Sequence, residues 1–248
     1  MASMRSNTRR VSGASGYGRC LLRISLVLAT VVLSGLPAAR IAGGAEPAPL
    51  TYVPGQGLHV GSSGLSLGGY LNLEVRKPES DHAEFLLDKL AVFVTWDLSP
   101  RWRFFSETEL EDVLIVDDDG HARAGDDIVE LERLHLDYLW SDAFTVRVGK
   151  FLTPIGIWNP VHAPPLVWTV SRPFASGDDF FDEFVTGVML SGNEPAAGFR
   201  LDYSLYGQPT DQLLAEDDVP RSARRGAGAR FQLSTSGDWA VGLSSLAQ

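Results

Sequence analysis

From Leu65 onward the chain alternates apolar and polar side chains with period two, over and over. Leu65, Leu67, Leu71, Leu73 and Val75 fall in one register, and Ser66, Tyr70, Asn72, Glu74 and Arg76 in the other. An extended strand sends successive side chains to opposite faces, so this pattern makes one apolar and one polar surface. It returns at Leu90–Asp97, at Trp102–Glu111 and at Arg133–Trp140, where Leu134, Leu136, Tyr138 and Trp140 oppose Arg133, His135 and Asp137. Phe144–Gly149, Gly187–Ser191, Phe199–Tyr206, Ala229–Leu233 and Trp239–Ser244 continue it, giving about nine strands. The predicted fold class is all-β. No run of 18 apolar residues follows residue 45, so a membrane role would have to be carried by strands.

The connections alternate as well. Leu98–Arg101, Ser141–Ala143, Asn193–Ala197 and Ser234–Asp238 are tight turns, whereas Lys77–Glu84, Asp112–Asp127, Leu152–Glu183 and Gln208–Gly226 are long polar loops. Short turns at one end and long loops at the other are the habit of an antiparallel transmembrane barrel. Trp96, Trp102, Tyr138, Trp140, Phe144 and Trp239 flank the short turns in the apolar register, where membrane-interface aromatics belong. The competing reading is a soluble β-sandwich with these rings in its core, but such rings would sit in mid-strand.

Residues 1–45 have the parts of a secretory signal: arginines at 9, 10, 19 and 23, an apolar run from Ile24 to Leu33, and small residues at 43–45. Residues 46–64, rich in Pro, Gly and Ser, are expected to be an unpaired periplasmic lead-in, with the barrel occupying 65–248. Without residues 1–45, 15 basic residues face 31 acidic ones, a balance of about −16. That acidity argues against a nucleic-acid partner. Four residues resist the pattern. Asp88, Glu130 and Glu132 fall in the lipid-facing register near the loop ends of their strands, and Lys150 also breaks step. Phe85 and Leu87, in the polar register, suggest a bulge.

Residues 144–159 read Phe-Thr-Val-Arg-Val-Gly-Lys-Phe-Leu-Thr-Pro-Ile-Gly-Ile-Trp-Asn. The part Gly149, Lys150, Phe151, Pro154 and Gly156 resembles the Gly-(Lys/Arg/Gln)-Phe-x-x-Pro-x-Gly stretch of the porin families that include the phosphate-selective (O/P-like) porins. The resemblance implies an outer-membrane barrel of about sixteen strands, often a homotrimer, with the third external loop folded into the lumen. Leu152–Glu183 holds the third-loop position. Porin chains of this kind end on an aromatic residue, whereas this one ends Ser-Leu-Ala-Gln248 after an odd number of strands. The expectation is therefore a partial barrel, cut short at its C-terminal side.

The polar face supplies the pore-lining candidates: Arg76, Arg103, Glu107, Glu109, Arg133, His135, Asp137, Arg147, Arg200, Asp202 and Arg230. Charged rings set which ions a pore admits. With lysines only at 77, 89 and 150, phosphate selectivity is not expected, and a general or cation-leaning pore for small hydrophilic solutes is. Its surroundings would be outer-membrane lipid and lipopolysaccharide. No cofactor or metal is expected; Asp117-Asp118-Asp119 and Asp126-Asp127 read as solvated loop acids. Rival readings are a non-conducting structural or adhesive barrel and an outer-membrane enzyme. His135 and Asp137 share a strand face, yet no serine in a nucleophile setting accompanies them, so the chain is not expected to be an enzyme.

Overall fold

The computed structural model describes residues 49–76, 83–125, 129–141, 143–161, 163, 166, 173, 180–196, 198–213, 225–235 and 239–247. The secretory leader expected at residues 1–45, and the acids Asp126 and Asp127, lie outside the described residues.

The strands are β1 (Leu50–Val53), β2 (Gly57–Val60), β3 (Leu65–Arg76), β4 (Glu84–Ser99), β5 (Trp102–Asp117), β6 (Ala122–Arg123), β7 (Val129–Ser141), β8 (Phe144–Leu152), β9 (Phe184–Ala196), β10 (Phe199–Gln208), β11 (Gly226–Thr235) and β12 (Ala240–Ala247). Every pairing is antiparallel between chain neighbours, apart from β6, which turns back onto β5 while β5 itself continues to β7. The result is one twelve-stranded sheet that, among the described residues, is not closed. The nine predicted strands correspond to β3–β5 and β7–β12.

Two expectations change. Residues 46–64 are not an unpaired lead-in, because β1 and β2 form a hairpin within them and β2 adds to β3 through Leu58↔Leu67 and His59↔Ser66. The pattern failed there because strands of four residues are too short to display alternation. The acidic loop expected from Asp112 also starts late: β5 runs on to Asp117, and β6 follows.

The register explains the charges that broke step. Lys89 pairs with Asn72 and with Glu111, Leu87 pairs with Leu73 and Leu114, and Asp88 is skipped in both ladders. One extra residue on one strand is a β-bulge, and it resets the faces beyond it. Phe85 and Leu87 accordingly share a face with Val75 and Leu73. Asp88 turns the other way, accepting hydrogen bonds from Asn72 Nδ2 at 2.9 Å and Arg76 Nη2 at 3.0 Å. A second bulge skips Glu132, so that Arg133 faces Glu107 and Glu130 faces Glu109. Neither Asp88 nor Glu130 stands in the apolar register, contrary to the simple count.

Polarity is inverted across this single layer. The apolar face is open: Leu71 is 53% exposed, Val148 52% and Val241 72%. The charged face is covered, with Glu107 and Glu109 at 0%. Among the described residues no second sheet lies over it, and the described part of the segment that follows β8 reaches it through Gly156, bonded to Arg230 and Ser244. Phe151, Val185, Met189 and Tyr206 form a small apolar cluster at its β8–β10 end, with Leu246 of β12 packed against it.

Close approach on the open face is possible because Gly192 has no side chain. Tyr203, directly opposite it, crosses β9 and donates its hydroxyl to Ala143 O at 2.6 Å. A Cβ at Gly192 would collide with that same Ala143 carbonyl. Gly192→Ala is therefore expected to destabilise the sheet by about 1–3 kcal/mol, as overpacking does. Urea unfolding in detergent, beside Tyr203→Phe as the variant that loses only the hydrogen bond, reads the difference.

Candidate functional site

The covered face is built of ion pairs arranged strand to strand. Directly opposed residues on neighbouring strands share a face at close range, so opposite charges placed there meet. Asp97, Arg103, Asp137 and Arg147 stand opposite one another across β4, β5, β7 and β8. Arg103 Nε donates to Asp97 Oδ1 at 2.6 Å. Arg147 grips Asp137 with both nitrogens, Nε to Oδ1 at 2.7 Å and Nη2 to Oδ2 at 2.8 Å, the two-pronged geometry that guanidinium and carboxylate planes favour.

Four residues toward the long loops, Arg133 Nε donates to Glu107 Oε2. Further on, Glu109 accepts from Tyr70 Oη and from Lys89 Nζ, the latter at 2.8 Å, while the same ammonium lies 2.6 Å from Glu111 Oε1. Carboxylate oxygens of Glu109, Glu111 and Glu132 come within 4.8 Å of one another. Lys89 supplies positive charge inside this acidic group, which fits a protein ion network. Fully buried carboxylates such as Glu107 and Glu109 would be costly without such partners.

Most of the eleven predicted lining residues are brought together here: Arg103, Glu107, Glu109, Arg133, His135, Asp137 and Arg147 form one patch. Arg76 lies apart at the long-loop end of β3 with Glu74 and Asp88. Arg200 pairs along its own strand with Asp202 at 3.1 Å, near the β9–β10 turn. Arg230 does something the alternation could not show. Its Nε donates to Gly156 O at 3.0 Å, and Ser244 Oγ accepts from Gly156 N at 3.0 Å. The segment after β8 thus reaches inner-facing side chains of β11 and β12.

That segment is clipped at its base. Asn159, buried, donates through Nδ2 to Thr153 O at 2.7 Å and Glu183 O at 3.0 Å, and Thr153 Oγ1 donates to Asp182 O at 2.6 Å. Of the motif residues, Pro154 and Gly156 lie in it, Gly156 with a φ of 61°. Gly149, Lys150 and Phe151 instead belong to β8. Phe151 turns into the apolar cluster. Lys150 pairs in the outward register with Leu134 and Thr186 yet is only 1% exposed. Its Nζ donates to Leu131 O at 2.8 Å and sits 4.7 Å from the centre of the Phe184 ring. Gly149, at a φ of 136°, lies where any Cβ would strike Leu134 O.

The His135–Asp137 pair considered for catalysis is held otherwise. His135 Nδ1 is 3.2 Å from Asp137 Oδ1 without hydrogen-bond geometry, and its ring stacks on Phe105 at 5.2 Å. Asp137 is committed to Arg147. The six predicted interface aromatics all stand at the short-turn end. Trp102 and Tyr138 rings lie 4.7 Å apart, Tyr138 and Trp140 6.2 Å, and Trp96 Nε1 donates to Ser63 O at 3.1 Å. Residues missed by the sequence reading are Thr153, Asn159 and Ser244, which act in or on an irregular segment where no periodicity exists.

No family model matches the chain. Over 135 residues it is 33% identical to an uncharacterized protein of Aquifex aeolicus (strain VF5). The match takes in 51% of this chain and 30% of that protein's length. The chain is thus similar to part of a longer protein whose description carries no activity.

Asp137→Asn should destabilise the folded protein by about 3 kcal/mol, because it leaves Arg147 with half a partner in a covered site. Denaturant titration of Asp137→Asn, Arg147→Met and the double variant checks this; the double variant is expected to recover part of the loss, and strict additivity would contradict the pairing.

Proposed function

We propose that this chain builds the wall of an outer-membrane β-barrel pore, through which small hydrophilic or charged solutes diffuse. The observation that carries the reading is the inverted polarity: an open apolar face and a covered, ion-paired face on one layer of antiparallel strands. In water, an apolar surface this extensive would associate or be covered. In a bilayer it is the surface that lipid requires.

Dimensions support the same reading. β4 and β5 have 16 residues each. Tilted by about 40°, such strands rise roughly 40 Å, more than an apolar band of about 25 Å. Their outer ends, with the Asp88 bulge, would stand above the hydrocarbon on the long-loop side, and the short-turn end with its Trp and Tyr rings would lie at the opposite interface. Among the described residues no helix is long and apolar enough to cross a membrane, which leaves crossing to the strands. Lipid and lipopolysaccharide are the proposed surroundings; the resemblance to porins adds a homotrimer.

A second reading, a non-conducting barrel, is favoured by one observation: the Gly156 segment lies across the covered face, tied to Arg230 and Ser244. In a porin this segment narrows the lumen, and in a closed barrel it fills it.

Single-channel recording in a planar bilayer, on the protein of the full gene, separates the two. The pore reading predicts long-lived conductance steps, and a larger conductance for Asn159→Ala combined with Arg230→Ala, which unties the segment. Silence from wild type with current only from the double variant favours the closed barrel. Silence from both, in protein shown to be folded, contradicts transport.

A further inference from the structure

At the short-turn end of the open face stands an arginine with no carboxylate beside it. Arg101 closes the turn between β4 and β5, and its backbone is fixed from both sides. Ser99 Oγ accepts from Arg101 N at 3.3 Å and from Trp102 N at 3.2 Å, and Arg101 O accepts from Leu139 N of β7 at 2.8 Å. The exposed side chain reaches a residue of the apolar register, with Nη1 donating to Tyr138 Oη at 3.4 Å. Among the described residues no acid pairs with this guanidinium. Two other arginines toward this end differ: Arg103 closes on Asp97 at 2.6 Å, and Arg200 on Asp202 at 3.1 Å.

Tyr138 is the middle one of three rings. Trp102 lies 4.7 Å from it and Trp140 6.2 Å, centre to centre, and these two side chains are 42% and 67% exposed. Trp96 has its indole N–H satisfied by Ser63 O, whereas those of Trp102 and Trp140 meet no acceptor among the described residues. The Tyr138 hydroxyl accepts from Arg101 and still has its own proton to give. One place on the open face thus gathers a guanidinium with most of its N–H groups uncommitted, a phenol and two indoles. Every one of these polar groups can donate, and none is negative.

Aromatic rings at a membrane interface suit any headgroup, because they need only an apolar body and a wet edge. A guanidinium held beside them adds a requirement. It takes two oxygens of a phosphate at once, and it is weakly hydrated enough to do so at a half-dry surface. In a zwitterionic headgroup the phosphate already has a cation of its own nearby. In an anionic headgroup it does not, and Arg101 supplies one. We propose that Arg101 and Tyr138, flanked by Trp102 and Trp140, bind the phosphodiester of an anionic phospholipid at the short-turn end of the open face. The proposal rests on the reading that this face meets lipid, and it names which lipid.

The test takes the full-length protein, folded in a non-ionic detergent, and offers it phosphatidylglycerol, phosphatidylcholine of the same acyl chains, or inorganic phosphate. Native mass spectrometry reads what each protein molecule retains. Arg101→Gln removes the charge, and Tyr138→Phe removes the hydroxyl while keeping the ring; the circular dichroism of each variant is compared with wild type. Wild type is expected to retain phosphatidylglycerol over phosphatidylcholine by about fivefold, the usual worth of one basic side chain at an anionic surface. Arg101→Gln should abolish the preference and Tyr138→Phe should reduce it, while added phosphate should displace no lipid. Equal retention of the two lipids by wild type, an undiminished preference in Arg101→Gln, or displacement by phosphate overturns the site and leaves lipid contact standing. Retention of neither lipid, by a folded protein that stays dispersed when detergent is withdrawn, contradicts lipid contact itself and the site with it.

Discussion

A sheet of one layer has two faces to satisfy and only one of them can be covered by its own curvature. Everything else in this protein follows from which face was chosen. The covered face holds the carboxylates of Glu107, Glu109 and Asp137, and burying those groups is tolerable only because Arg133, Lys89 and Arg147 stand on the neighbouring strands at matching register. The open face holds leucines, valines and phenylalanines. Exchanging the two would leave these charges on the open face and bury apolar side chains among the partners of the charged ones. The register of β4 against β5, and of β5 against β7, is thus the interaction on which the arrangement depends.

Two bulges protect that choice. A strand shifted by one residue sends every side chain to the wrong face. The extra residues Asp88 and Glu132 correct the count where the sequence would otherwise turn leucines inward and acids outward. Asp88 is then rewarded with Asn72 and Arg76 as partners. The irregular segment after β8 completes the interior by reaching Arg230 and Ser244, and Asn159 fixes its base. The covered side of the sheet is shaped by this segment and by the ion-paired strands.

Much of this was legible from residue types. Period-two alternation reveals β3, β5, β7, β8 and β10 because each is long and has one face of each kind. The aromatics flanking short turns, and the polar partners Arg133, Asp137 and Arg147, follow from the same count. What a period cannot reveal is where the count is broken. Asp88, Glu130 and Glu132 look like errors until the partner strands show which residue is skipped. Arg230 looks like one more lining residue, and only the fold brings it to a backbone carbonyl 74 positions away in the chain.

The central claim is that the open face meets lipid and the covered face meets water. Cysteines placed singly along β11, from Ala227 to Leu233, in the protein without its only cysteine, Cys20, would be spin-labelled after reconstitution in vesicles. Collision with oxygen reports lipid, and collision with a water-soluble nickel chelate reports an aqueous surface. The account predicts strict alternation, with Ala227, Ala229, Phe231 and Leu233 on the oxygen side and Gly228, Arg230 and Gln232 on the nickel side. Uniform access of the nickel chelate to both sets would contradict it and would place both faces in water.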